Sequence, residues 1–306
     1  MIPVILGPTA VGKTALLLKL AMRLPIEVVS VDSRQIYRHM DVGTAKPTKS
    51  ERESLRHWLI DIRDPDVDFD VKTFRELALE AIEDITSRGK IPVLAGGTGL
   101  YAEALMKGLA NVPGRNESVR EALAELERAS PGSLRKILKA IDSKAYGRLH
   151  ENDLKRSIRY LEAFFLTGRA LSEVQNEKVI SDRFKVIVLN RSRSELHRRI
   201  ESRVEEMYRQ GLMEETRELL AMGYTANINA LKTIGYAEMV QCIRGLISSQ
   251  EALEKIKCNT RRYARRQIIW FRRYSGLEID LSNLTESCAV STLERTILLV
   301  WGGNYG

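Results

Sequence analysis

Residues 7–14 read Gly7-Pro8-Thr9-Ala10-Val11-Gly12-Lys13-Thr14. The stretch matches the pattern Gly-x-x-x-x-Gly-Lys-Ser/Thr. An apolar run from Ile2 to Leu6 precedes it, and a helix-periodic run over 15–23 follows it. Strand, glycine loop and helix in that order are the context in which this pattern folds into a phosphate cradle. The glycines let the backbone close on phosphate oxygens. Loop N–H groups and the helix N-terminus then supply positive potential. Lys13 adds a full charge, and the Thr14 hydroxyl is a candidate Mg²⁺ ligand. The loop predicts a bound diphosphate and specifies ATP only by association. A chance glycine-rich turn is the competing reading, and the complete pattern in its complete context argues against it.

On the C-terminal side, short apolar runs alternate with helical patterns. Runs 28–31, 58–62 and 91–95 join Ile2–Leu6 as predicted strands, with helices predicted over 15–23 and 71–88. That alternation predicts a parallel sheet with helices on both faces. The pattern breaks at 111–118, where Pro113 and Gly114 stand. From there to Leu171 it is helical only, with helices predicted over 118–128, 134–141 and 153–167. Gly168 closes the last of them. The run 184–189 (FKVIVL) returns to strand character, and 194–273 is again mostly helical. The expected architecture is α/β: a P-loop nucleoside-triphosphatase-like parallel sheet core, 1–112 with 176–306, interrupted by an all-helical insertion, 113–175. In the tail, 297–301 has the composition of an edge strand.

The 306 residues are 44% hydrophobic and 29% charged, the profile of an ordinary globular chain with enough apolar mass for a sizeable core. The formal net charge of +8 favours a polyanionic partner, nucleic acid or an acidic membrane face. Cys242, Cys258 and Cys288 lie too far apart for a CxxC pair and have no histidine cluster beside them, which argues against a zinc module or a disulfide framework. No signal peptide is expected, and no apolar run approaches the roughly 20 residues that cross a bilayer. A cytoplasmic location and a monomeric state are expected.

Three further stretches bear chemistry. Val28-Val-Ser-Val-Asp32 ends an apolar strand on a carboxylate. In α/β sheets the carboxyl ends of the strands face the ligand crevice. Asp32 therefore reads as a water-mediated Mg²⁺ ligand, as a general base, or as a helix cap, and these three stay open on the residues alone. Gly96-Gly-Thr-Gly99 follows a predicted strand and permits close backbone approach to a ligand. Finally, 257–273 (KCNTRRYARRQIIWFRR) carries seven basic residues and no acidic one. On a helical wheel Arg261, Arg262, Arg265, Arg266, Arg272 and Arg273 share one arc, interrupted only by Ile269. Tyr263, Ala264, Gln267, Ile268, Trp270 and Phe271 fill the other side. An arginine face of this kind suits a phosphate backbone, because guanidinium binds phosphate bidentately. The competing reading is a solvated basic face. A membrane surface is disfavoured, because the aromatics lie on the side the core needs.

With these motifs in order, the chain resembles the tRNA dimethylallyltransferases, also called isopentenyl-tRNA transferases. The resemblance runs from Gly7 to Arg273 through GPTAVGKT (7–14), VDSRQIYRHMDVGTAKPT (31–48), HWLIDIRDP (57–65) and GGTGLY (96–101). It continues through NDLKRSIRYLEAFFLTGRALS (152–172), ELHRRIESRVEEMYRQGL (195–212), TIGYAEM (233–239) and TRRYARRQIIWFRR (260–273). His39 stands where a glycine is usual, Trp58 where a second histidine is common, and Tyr160 where an alanine is usual. The chain lacks the C-terminal zinc finger of eukaryotic members and so resembles the bacterial type.

The resemblance implies a P-loop core with a helical insertion. It implies attack by the exocyclic N6 of adenine-37, beside the anticodon, on C1 of dimethylallyl diphosphate, with diphosphate leaving. Asp32 would then be the base, and Arg203 and the Mg²⁺ ligand Thr14 would act on the diphosphate. It further implies tRNA contact by Asp32, Ser33, Arg34 and Gln35, by Thr98 and Arg120, by Lys155, Arg156, Ser157, Ile158 and Arg159, and by Lys232, Thr233, Ile234, Gly235, Tyr236 and Ala237. Arg261, Arg265 and Arg272 join them from the arginine face. The anticodon arm would be gripped by core and insertion from two sides. Competing readings are a P-loop kinase, an adenylate isopentenyltransferase acting on free AMP or ADP, and a non-catalytic RNA-binding ATPase. The first does not require the arginine face, and the arginine face with the KRSIR run argues against the second; titration with dimethylallyl diphosphate and with ATP separates all of them.

Overall fold

The computed structural model describes residues 1–109, 112–176, 181–274 and 276–302. Six strands form one sheet: β1 (Ile2–Leu6), β2 (Ile26–Val31), β3 (His57–Trp58), β4 (Ile91–Gly96), β5 (Phe184–Asn190) and β6 (Leu277–Asp280). Their order is β3-β2-β4-β1-β5-β6, and every pairing is parallel. A parallel sheet must bury both faces, and the strand residues alternate accordingly. Ile5, Val28 and Val93 point into one apolar cluster, which also contains Leu17 of α1 (Lys13–Ala21). Val4, Leu6, Val29, Val31 and Leu94 point into the other. There Phe74 and Ile82 of α3 (Val71–Ser87) close the layer with Tyr101 of α4 (Gly99–Lys107). The short α2 (Lys49–Ser54) precedes β3 and is capped by Thr48 with Glu51 in a capping box.

Residues 1–106 and 181–306 make one compact unit, and 107–180 make a second. The expected edges at 113 and 175 fall a few residues inside the second unit, and Asn111 of the expected break lies outside the described residues. The second unit holds α5 (Glu117–Ala129), α6 (Ser133–Ile141), α7 (Ser143–Arg148), α8 (Leu154–Thr167) and α9 (Leu171–Asn176). Its own core is Leu123, Leu134, Leu138, Ala145, Leu149 and Leu161. Asp153 caps α8, and Gly168 ends it in the left-handed region. Buried Asp142 caps α7 and accepts from Ser172 Oγ at 2.6 Å.

In the first unit, β5 is followed by α10 (Arg193–Arg209), α11 (Leu212–Ala221), α12 (Tyr236–Ile243), α13 (Ser249–Phe271) and α14 (Glu286–Gly302). The first four bury a third cluster that includes Ile200, Leu219, Tyr236, Met239, Ile256 and Ala264.

Two predicted elements are corrected. The strand over 58–62 stops after Trp58, because Leu59 and Asp61 take φ of +63° and +56°, which no ladder accommodates. The stretch 297–301 is not an edge strand but the end of α14. Its β-branched residues sit at helical spacing, with Ala289, Leu293, Ile297 and Val300 buried on one stripe. The edge strand is β6 instead, paired with β5 from Ile187↔Leu277 to Asn190↔Asp280.

Candidate active site

Four strands deliver their carboxyl ends to one edge of the sheet. Gly7 follows β1, Asp32 follows β2, Gly97 follows β4 and Arg191 follows β5. A cavity of about 1330 Å³ opens there, and Thr9, Lys13, Thr14, Asp32, Gly97 and Arg203 help to line it.

The loop 7–14 is shaped for close approach. A Cβ at Gly7 would lie 2.7 Å from the Leu189 carbonyl oxygen. Gly12 sits at φ +109° directly before α1 and offers no side-chain cap. The first N–H groups of α1 are therefore left to an external anion. The Lys13 ammonium donates back to the carbonyls of Gly7 and Pro8 at 2.7 and 3.1 Å. Burial pulls its pKa down to about 7; the cation of Arg203 adds to the shift, and the carboxylate of Asp32 opposes it.

Three arginines hold the loop from outside. Arg191 Nε donates to the Val11 carbonyl and Arg199 Nε to the Ala10 carbonyl, each at 2.8 Å. Arg203 Nη1 reaches Thr9 Oγ1 at 3.4 Å. Arg199 and Arg203 are four apart on α10 and so share a face. Burial lowers the pKa of both, yet a guanidinium stays charged. Neither Arg191 nor Arg199 was marked by sequence.

Asp32 Oδ1 accepts the backbone N–H groups of Arg34 and Gln35 at 2.8 and 3.3 Å. No helix begins at Asp32, so the helix-cap reading is corrected: its Oδ1 closes a local turn instead. Both bonds fall on Oδ1, which leaves Oδ2 available for chemistry in the cavity that Asp32 lines. Thr98 Oγ1 accepts from Ser33 N–H at 3.1 Å, which ties the loop after β4 to the loop after β2. Tyr263 of α13 lines the same cavity, and burial pushes its phenol up to about 12.

The inward face of α13 carries buried Ala264, Gln267 and Phe271, as the wheel predicts. Arg262, Arg265, Arg266, Arg272 and Arg273 are exposed. The run holds no acidic residue of its own, but two of its cations are paired from elsewhere in the fold. Arg261 pairs with Glu201 at 2.9 Å and Lys257 with Glu205 at 3.1 Å. Both acids come from α10, packed alongside, and so are invisible within the run itself.

A profile of the family described as IPP transferase matches residues 35–274. A tRNA dimethylallyltransferase of Kosmotoga olearia is 56% identical over all of this chain and 99% of its own length. Another, from Thermotoga maritima, is 49% identical over 89% of this chain and 90% of its own. Among solved structures, the full-length tRNA isopentenylpyrophosphate transferase of Bacillus halodurans superposes with a TM-score of 0.74 at 36% identity. It covers 98% of this chain and 96% of its own. The chain belongs to this family.

The transferase's three departures from the usual family residues have physical accounts. His39 adopts φ +62°, the conformation that makes glycine the easier choice there. Trp58 Nε1 donates to Glu27 at 2.8 Å, so the indole supplies one N–H to a buried carboxylate. Arg88 binds the same carboxylate with two guanidinium bonds, Lys90 adds a third, and together they hold Glu27 down at about 2. Tyr160 is half-buried against the core of the second unit.

The residues expected to meet RNA are placed unequally. Lys155, Arg156 and Lys232 are exposed, while Ile158, Thr233, Ile234 and Ala237 are half-buried. The side chains of Ser157 and Tyr236 are buried. Tyr236 donates to Glu215 at 2.5 Å, and Glu215 accepts the N–H groups of Asp41, Val42 and Gly43. Its role is to hold the loop 41–43. Gly235 is buried beside it, with its N–H on Glu238. Arg34 donates to the Asn229 carbonyl at 2.9 Å.

Arg120 binds buried Glu162 with two guanidinium bonds, at 2.7 and 2.9 Å, Arg159 adds one at 2.7 Å, and Asn116 N–H adds a fourth. Burial alone would raise the Glu162 carboxyl, but these partners outweigh it and hold it at about 2. A depressed carboxyl contributes stability above its unfolded value and loses it as pH falls toward the folded one. Glu162→Gln is therefore expected to lower the melting temperature at neutral pH. The gap to wild type should close between about pH 4.5 and pH 2. Melting curves of both proteins across that range check this, and a gap that stays constant would contradict it.

Proposed function

We propose that this protein transfers the dimethylallyl group of dimethylallyl diphosphate to N6 of adenine-37 in tRNA, releasing diphosphate. The observation that carries the reading is one cavity lined by both a phosphate-binding loop and the carboxylate of Asp32. The family relationship supplies the acceptor.

In this reading the loop 7–14 binds the leaving group rather than a transferred phosphoryl group. Its N–H groups, Lys13 and Arg203 stabilise the charge that develops on the departing diphosphate. The exocyclic amine is a weak nucleophile and sheds a proton as it attacks, and Asp32 takes that proton. The target base is turned out of the anticodon stack to reach the cavity. Mg²⁺ fits the donors present. The Thr14 hydroxyl lines the cavity, and among the described residues no cluster of His, Cys, Asp or Glu could hold a metal by itself. The ion would therefore rest on Thr14 and the donor's own phosphate oxygens, where it would neutralise charge on the diphosphate. Release of diphosphate from dimethylallyl diphosphate, and loss of ATP to ADP or AMP, each measured with and without tRNA, test the reading. Release is expected only when dimethylallyl diphosphate and tRNA are both present; steady ATP turnover would contradict it.

The exposed arginines of α13 serve the tRNA backbone and read no sequence. Arg265→Ala is expected to weaken all tRNAs about equally and to flatten the salt dependence of binding by about one unit per lost phosphate contact. Transfer at saturating tRNA should hardly change. Isotherms for both proteins at several salt concentrations decide the point, and superimposable curves would reject the role.

A further inference from the structure

Gln267 is the polar residue on the inward face of α13, between Ala264 and Phe271, and it is 5% exposed. Both ends of its amide are used. Oε1 accepts the Thr9 N–H at 2.8 Å, and Nε2 donates to the Gly97 carbonyl at 2.9 Å. The fit leaves no slack: a Cβ at Gly97 would lie 2.2 Å from the Gln267 nitrogen. One side chain thus bridges the loop after β1, which cradles phosphate, and the loop after β4. A buried amide with both partners met fixes geometry, and losing one leaves a polar group unsatisfied in the interior.

We propose that Gln267 is a positioning residue for the donor diphosphate. It sets the first turn of the phosphate loop through Thr9 and locks that turn to the loop that carries Thr98. The proposal rests on the reading of loop 7–14 as the diphosphate cradle. Thr9 N–H is spent on Gln267 and Val11 N–H on the Pro8 carbonyl, so the N–H groups of Ala10, Gly12, Lys13 and Thr14 are the ones left for phosphate. Without the clip, the loop would keep its sequence and charge but lose its set shape.

The test compares Gln267→Met, which removes both bonds at similar volume, with Gln267→Glu. A protonated Glu carboxyl is a near-isostere of the amide: one oxygen accepts from Thr9, and the O–H donates to Gly97. The ionised carboxylate cannot donate. Binding of inorganic diphosphate with Mg²⁺ is measured calorimetrically from mildly acidic to alkaline pH, well below each protein's melting temperature. Each affinity is expressed relative to wild type at the same pH. Gln267→Met is expected to bind about tenfold more weakly at every pH, the loss of roughly one buried hydrogen bond. Gln267→Glu should show a similar or larger loss at alkaline pH and recover toward wild type as pH falls. Binding of tRNA to all three should be equal. A purely structural role would lower melting temperature without moving these ratios. Normal diphosphate affinity in Gln267→Met would overturn the proposal and leave the cradle intact. Failure of the wild type itself to bind diphosphate would overturn the cradle and the proposal together.

Discussion

Asp32→Asn is expected to slow the chemical step by roughly 10²- to 10⁴-fold, the range for removal of a general base. The substitution is informative because Asp32 has two separable duties. Its Oδ1 accepts the N–H groups of Arg34 and Gln35, and an asparagine carbonyl keeps that acceptor. What the amide cannot do is take a proton. The variant should therefore fold normally, bind tRNA and donor much as wild type does, and fail in single turnover. A single-turnover rate equal to wild type would remove the base role and leave Asp32 as a turn former.

Lys13→Ala is expected to weaken dimethylallyl diphosphate and inorganic diphosphate alike by roughly 10- to 100-fold, the contribution of a charge-assisted bond. The ammonium addresses phosphate and not the alkyl group, so both ligands should lose equally. A second signature follows from the pKa of about 7 to which burial pulls Lys13. An anion in the loop favours the charged ammonium, so above pH 7 binding must draw a proton onto Lys13. Below pH 7 the lysine is already charged. Affinity should therefore fall as pH rises through and above 7, and proton uptake at pH 8 should be larger in wild type than in Lys13→Ala. Calorimetry in buffers of different ionisation enthalpy measures it, with the titration of diphosphate common to both proteins. Equal uptake would show that Lys13 is not the group responsible.

How much of this was legible beforehand depended on whether the information was local. The phosphate loop, its flanking strand and helix, and the exposed arginines of α13 all announce themselves within a few turns of chain. Gln267 left a faint signal, as a polar side chain on the apolar arc of the wheel, but its partners at Thr9 and Gly97 lie far off in sequence. Arg199 and Arg203 shared a face by spacing, yet nothing local says that the face meets the phosphate loop. The pairing of Arg261 with Glu201 was hidden in the same way.

The failures have a different cause. At 58–62 hydropathy suggests a strand, but left-handed backbone at Leu59 and Asp61 ends it, and apolar pattern carries no sign of φ. At 297–301 consecutive apolar residues fit either period, and the stripe reaching back to Ala289 decides for helix. β6 buries only Ile279, so it offers no apolar run to find. Ser157 and Tyr236 are buried members of segments that also carry the exposed Lys155, Arg156 and Lys232, and a motif cannot say which of its members turn inward.

The central claim is that dimethylallyl diphosphate and tRNA meet in this one cavity. Mass spectrometry of nucleosides from tRNA incubated with the protein, dimethylallyl diphosphate and Mg²⁺ tests it most directly. The account expects adenine-37 to carry one dimethylallyl group in place of one amine hydrogen, with Asp32→Asn leaving the base unmodified over the same interval. Unmodified adenine-37 under wild-type protein, or the added mass on any other nucleotide, would contradict it.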